Sequence, residues 1–111
     1  MPENQEKRLA ILFSEFFKKE LSDEDSGKIR KRLALICDEL GIEDPDIKRR
    51  CLQDIFYLVL IDRLAKRDQT PETEALQAYI HGKLDQDYSH ESTNVYYHIE
   101  PWLYDQGYRR E

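Results

Sequence analysis

The sequence predicts an all-α fold, a single-domain up-and-down bundle of four to five helices. Three observations predict it. Apolar residues recur at three-and-four spacing along most of the chain, helix-capping residues precede the apolar stripes, and the four Gly and four Pro fall near expected helix ends. At 111 residues the chain fits one domain, and a domain of that size buries about two-thirds of its unfolded surface, enough for one core without metal or disulfide support. A charged share of 36% beside an apolar share of 40% suits slender helices with much surface and little interior.

The first helix is expected over about 4–21, where Leu9, Leu12, Phe13, Phe16 and Phe17 make one stripe. A second is expected over 23–40. Ser22 is its N-cap with Asp25 three residues on, although Gly27 makes Ser26 a rival start. Its stripe is Ile29, Leu33, Ile36, Cys37 and Leu40, and Gly41 suits a left-handed stop. A third, over 45–67, has the best start signal: Asp44 caps, Pro45 needs no N–H in the first turn, and Asp46 complements the helix dipole. Ile47, Cys51, Ile55 and Val59 form its main stripe, widened by Leu52, Phe56, Leu60 and Leu64. From Ile55 to Ile61 it is apolar on every side, which reads as a central helix enclosed by the others. A strand is the alternative for that run, but no Gly or Pro flanks it. The fourth helix, over 71–86, opens on Thr70-Pro71-Glu72 and carries Leu76, Tyr79, Ile80 and Leu84. Short helical segments are expected over 90–106. They start at Ser89 or Ser92, are ended or kinked at Pro101, and stop at Gly107.

No mechanism-bearing motif is present: there is no Gly-rich phosphate loop, no nucleophile elbow, and no Cys beside an activating base. No enzyme activity is expected, and no cofactor. His81 and Asp85 stand four apart and His90, Glu91 and His98 follow, but no zinc spacing relates them, so solvated histidines near carboxylates are expected and no metal. Cys37 and Cys51 sit at helix-core positions and are read as packing residues. No signal-type apolar stretch follows Met1-Pro2, and the Ile55–Ile61 run is far too short to span a bilayer. A cytoplasmic protein with reduced thiols is the expectation.

The net charge of −6 is unevenly spread. Basic clusters occupy 28–32 and 48–50. From Asp68 to Gly107, eight carboxylates face the single base Lys83, a net charge of −7 over the segment. Six of the seven tyrosines, Tyr79, Tyr88, Tyr96, Tyr97, Tyr104 and Tyr108, lie beyond residue 78, and the only Trp sits among them. Tyr and Trp give large contact area at low entropic cost, and interspersed acids steer a basic partner and fix its register. The expected function is therefore a partner-binding module: an inhibitor, immunity-type protein, adaptor or chaperone. Its contact residues are read as Tyr79, Tyr88, Glu91, Tyr96, Tyr97, Trp102, Tyr104 and Asp105, and its partner as a protein with a basic or mixed surface. The Tyr96-Tyr97 doublet resembles the paired tyrosines of the immunity proteins of DNase colicins over those two residues. His98 stands where that motif continues with Pro, and the lengths differ, so no family is assigned from it. Two alternatives stand beside this reading: a nucleic-acid-associated regulator using 28–32 and 48–50, and an acidic DNA mimic that blocks a DNA-binding protein. Nucleic acid is the less favoured partner of so acidic a chain. A homodimer completed on the apolar third helix is a further option.

Overall fold

Side-chain caps set the starts of most of the helices. The computed structural model describes residues 3–108; Met1, Pro2 and the last three residues lie outside it, and with them the reading of the Met1-Pro2 start. Five helices follow in order: α1 (Glu3–Glu20), α2 (Asp23–Leu40), α3 (Pro45–Ala65), α4 (Pro71–Asp87) and α5 (His90–Asp105). The Ser22 hydroxyl accepts from the Asp25 N–H at 3.1 Å, which decides the start of α2 in favour of Ser22 over Ser26. Asp44 accepts from the Asp46 N–H at 2.9 Å, and Thr70 from the Thr73 N–H at 3.1 Å. Gly41 closes α2 at φ 72°, with the Ile42 N–H reaching back 2.9 Å to the Cys37 carbonyl. This left-handed turn is where a side chain would be strained, and it is why glycine stands there.

α3 is the hub and packs against all four other helices. α1 and α4 pack on α3 and on each other, as do α2 and α5, so the bundle is two three-helix units sharing α3. Chain neighbours are not the main packing neighbours throughout: α5 lies on α2 and α3, and α1 lies on α4. In α3 the consecutive residues Asp54, Ile55, Phe56 and Tyr57 are all buried, with Val59, Leu60 and Leu64 beyond them. A helix buried in successive residues is enclosed all round, as the Ile55–Ile61 run requires. The strand alternative fails, and Leu52, Leu58 and Ile61 on the rest of α3 are half-buried against the same core.

Aromatic rings tie α1 to this hub. Phe17 meets Phe56 edge-on at 5.4 Å between centroids, and Phe13 lies 5.9 Å from Tyr57 and 6.1 Å from Tyr79. Helix limits match the sequence reading to within one residue except at two places. α3 stops at Ala65, two residues short of 67, and α5 runs unbroken through Pro101 to Asp105. Proline removes one hydrogen bond from a helix interior but does not end it where packing on both sides holds the turns in place.

Truncation separates hub from surface. Ile55→Ala, at 0% exposure, is expected to cost about 3 kcal/mol in urea unfolding, whereas Leu35→Ala, at 56% exposure, should stay within about 0.5 kcal/mol. Similar losses at the two positions would contradict the arrangement.

Candidate protein-binding face

α5 is amphipathic in an unusual sense, because aromatic residues lie on both of its sides. Its inner stripe is Ser92, Val95, Ile99 and Leu103, each fully buried against α2 and α3. Tyr96 and Trp102 flank that stripe, half-buried and packed on the core. The outer side presents His90, Asn94, Tyr97, His98, Pro101, Tyr104 and Asp105, all exposed. Tyr97 and Tyr104 are seven residues apart, two turns along one line, with Pro101 and half-buried Glu100 between them. Tyr97 is 69% exposed and Tyr104 40%.

Both ends of α5 are fixed by polar contacts. At the N-terminal end, Ser89 caps by accepting from the Ser92 N–H at 3.3 Å. The buried Ser92 hydroxyl donates to Asp54 Oδ2 of α3 at 2.5 Å, and Ser92 Oγ also lies 3.7 Å from Cys51 Sγ. Burial pushes the Cys51 thiol up from its ordinary range, with the Ser92 contact opposing, and burial likewise raises Cys37. Both cysteines are free and buried. At the C-terminal end, Gly107 turns left-handed at φ 79°, and the Tyr108 N–H returns 3.0 Å to the Leu103 carbonyl. Arg63 of α3 donates to the Gly107 carbonyl at 2.9 Å, and the Tyr108 hydroxyl donates to Asp25 of α2 at 2.7 Å. Trp102 rests against the Tyr108 ring, 6.0 Å between centroids. Burial, followed by the hydrogen bond to Asp25, pushes the Tyr108 phenol up to about 12.

The outer face offers several acceptors. Pro101 has no N–H for the Tyr97 carbonyl, so the usual i to i+4 bond is missing on the exposed side. His98 Nδ1 lies 2.8 Å from the Asn94 carbonyl. A carbonyl only accepts, so Nδ1 carries the proton and Nε2 is left facing outward chemistry. Asp105 and the half-buried Glu100 add carboxylates.

Of the eight residues read from the sequence, Tyr97, Tyr104 and Asp105 come together on this face. Tyr96 and Trp102 turn inward, and Glu91 is half-buried near the start of α5. Tyr88 sits at the α4–α5 turn, 39% exposed. Tyr79 belongs elsewhere: it packs between α1 and α4, with the Lys83 ammonium 5.4 Å from its ring centroid. His98, Glu100 and Pro101 are the face members the sequence reading left out. Glu100 and Pro101 stand three or four residues from both Tyr97 and Tyr104, and His98 three from Pro101, a spacing masked by the expectation that Pro101 ends or kinks the helix.

The other candidates disperse. Among the described residues no group of three or more His, Cys, Asp or Glu is arranged to hold a metal ion, and His81 and Asp85 are simply exposed on α4. No described helix is long and apolar enough to cross a membrane. In the basic clusters, Lys28 pairs with Glu24 at 3.6 Å, and Arg49 and Arg50 share Asp46 at 2.9 and 3.4 Å. No family model, curated protein or solved structure matches the chain.

Two substitutions test the anchors of α5. Ser92→Ala leaves the buried Asp54 without its Ser92 donor and should cost about 2–3 kcal/mol in chemical denaturation, well above a surface Ser→Ala. Tyr108→Phe should cost about 1 kcal/mol at neutral pH. Its folded pKa of about 12 lies above the ordinary tyrosine value of about 10, so the native state holds the proton more tightly. That stabilisation is complete below about pH 10 and fades as pH climbs towards 12. The difference in stability between the wild type and Tyr108→Phe should therefore shrink over that window, and a difference that stays constant through it would remove the latch.

Proposed function

We propose that this protein acts by binding another protein through the outer face of α5, as an inhibitor, immunity-type protein, adaptor or chaperone, and that it carries no catalysis of its own. One observation carries the reading: Tyr97, 69% exposed, stands two turns from Tyr104 on a helix whose reverse side is pinned to the core at both ends. Large rings held in water on a rigid support give a partner contact area at little entropic cost, and such residues dominate binding energy at interfaces. Around them lie the carboxylates Glu100 and Asp105 and the carbonyl of Tyr97, which has no i+4 donor, and no Lys or Arg lies among the exposed residues of the helix. Arg or Lys from a partner satisfies all three and also stacks on a tyrosine face, so the partner's surface is basic or mixed. Two free, buried thiols suit a reducing compartment, and we place the protein in the cytoplasm.

The test is paired affinity capture from the native host, quantified by mass spectrometry, using wild type and the double variant Tyr97→Ser/Tyr104→Ser. Both rings are on the outer side, so circular dichroism and the unfolding midpoint should hold within about 0.5 kcal/mol. A partner enriched by the wild type should fall about tenfold or more with the variant, in line with about 2 kcal/mol for an interface tyrosine. Identical capture by the two proteins would sink the reading.

A further inference from the structure

The fold brings the two basic clusters to one place. Arg30, Leu33 and Cys37 of α2 and Lys48, Arg49 and Leu52 of α3 line a groove of about 330 Å³ between the two helices. The spacing explains the convergence: 30, 33 and 37 share one flank of α2, and 48, 49 and 52 share one flank of α3. The rim is cationic and the floor apolar.

The rim charges are incompletely answered within the chain. Lys48 is half-buried and makes no ion pair among the described residues, although the protein as a whole carries net charge −6. Arg30 has its guanidinium 5.7 Å from the Phe56 ring centroid and, among the described residues, no ion pair. Only Arg49 is paired, to Asp46 on its own helix. Two cations on one rim with no ion-pair partner among the described residues complement an anion from outside. A bare anion would leave the apolar floor wet, and an uncharged apolar ligand would strand the cations further. The ligand that meets both demands is an acidic peptide segment with aliphatic side chains, carboxylates to the rim and alkyl groups to the floor.

We propose that the α2–α3 groove is a second binding site, for an acidic, leucine-bearing peptide segment of another protein. Single-stranded nucleic acid answers the rim equally well but not the rest. The groove offers no open aromatic platform for bases, since Phe56 is buried, and its apolar floor suits alkyl side chains.

Fluorescence anisotropy with a labelled twelve-residue peptide of alternating Leu and Glu pairs tests this at low ionic strength. The wild type should bind it, with affinity falling as salt rises. Arg30→Glu/Lys48→Glu should weaken binding about tenfold or more, and so should replacing Glu by Gln in the peptide. Ala34→Glu provides a second variant: Ala34 is exposed, also lines the groove, and accepts a good helix former without touching the core. It should lose binding while keeping its circular dichroism spectrum. Tyr97→Ser/Tyr104→Ser should bind the peptide like wild type, so failure here is distinct from failure of the α5 face. The proposal falls if the peptide does not bind wild type, or if all groove variants bind it unchanged. It also falls if the tyrosine variant abolishes binding, or if an oligothymidylate of equal charge binds the groove and the peptide does not.

Discussion

Enclosure of α3 is the constraint from which the architecture follows. A helix with apolar side chains on every side through Ile55–Ile61 leaves water only if neighbours surround it, and four helices of modest length are what the chain has to offer. Placing two of them on each side gives two three-helix units with a common member. The short links from α1 to α2 and from α4 to α5 carry the chain from one unit to the other. That crossing explains why α5 finds α2 and α3 and not the helix immediately before it. α4 can then carry a weak stripe of its own, since α3 supplies much of the apolar surface it covers.

Hydrophobicity alone does not fix how α5 is rotated. Val95, Tyr96, Tyr97, Ile99, Trp102, Leu103 and Tyr104 wrap around the helix, so several faces have enough apolar area to bury. The polar contacts discriminate among them. Only one rotation delivers the Ser92 hydroxyl to Asp54, and the same rotation sends the chain past Gly107 so that Tyr108 meets Asp25 and its carbonyl neighbour meets Arg63. A buried carboxyl that loses its donor costs more than the bond itself contributes, so the pair works as a selector of register more than as a source of net stability. The exposure of Tyr97 and Tyr104 is thus a consequence of Asp54, three residues from Cys51 on the hub helix.

The helices were readable in the sequence because their signals are local. Ser22, Asp44, Thr70 and Gly41 act within one turn of themselves, and the structure gives each the role its chemistry suggests. Pro101 was misjudged because its cost is local while the compensation is not: α2 and α3 hold both halves of α5 together across the missing bond. Which aromatics face out was not legible for the same reason. Trp102 and Tyr97 are equally amphipathic as residues, and only the long-range partners Asp54, Asp25 and Arg63 decide that the first packs and the second does not. Asp54 itself sat unnoticed beside the apolar run, since a single acid at the edge of a stripe looks like a wet flank until its partner 38 residues on is placed.

Net charge describes this molecule poorly, because the average conceals two fields of opposite sign. Screening at physiological salt acts over about 8 Å, while the protein measures 42 × 27 × 22 Å, so an approaching surface senses the charges near its own landing point and little else. As proposed binding surfaces, the acids of α5 and the cations of the α2–α3 groove are electrostatically separate features of one body. Rigidity matters to both. α2 and α3 support the groove directly and support α5 from behind, so neither surface must be ordered when it is used, and the entropy of ordering has already been met in folding the hub. A thin bundle built around one enclosed helix is, on this argument, an economical way to hold two unlike surfaces apart at fixed separation.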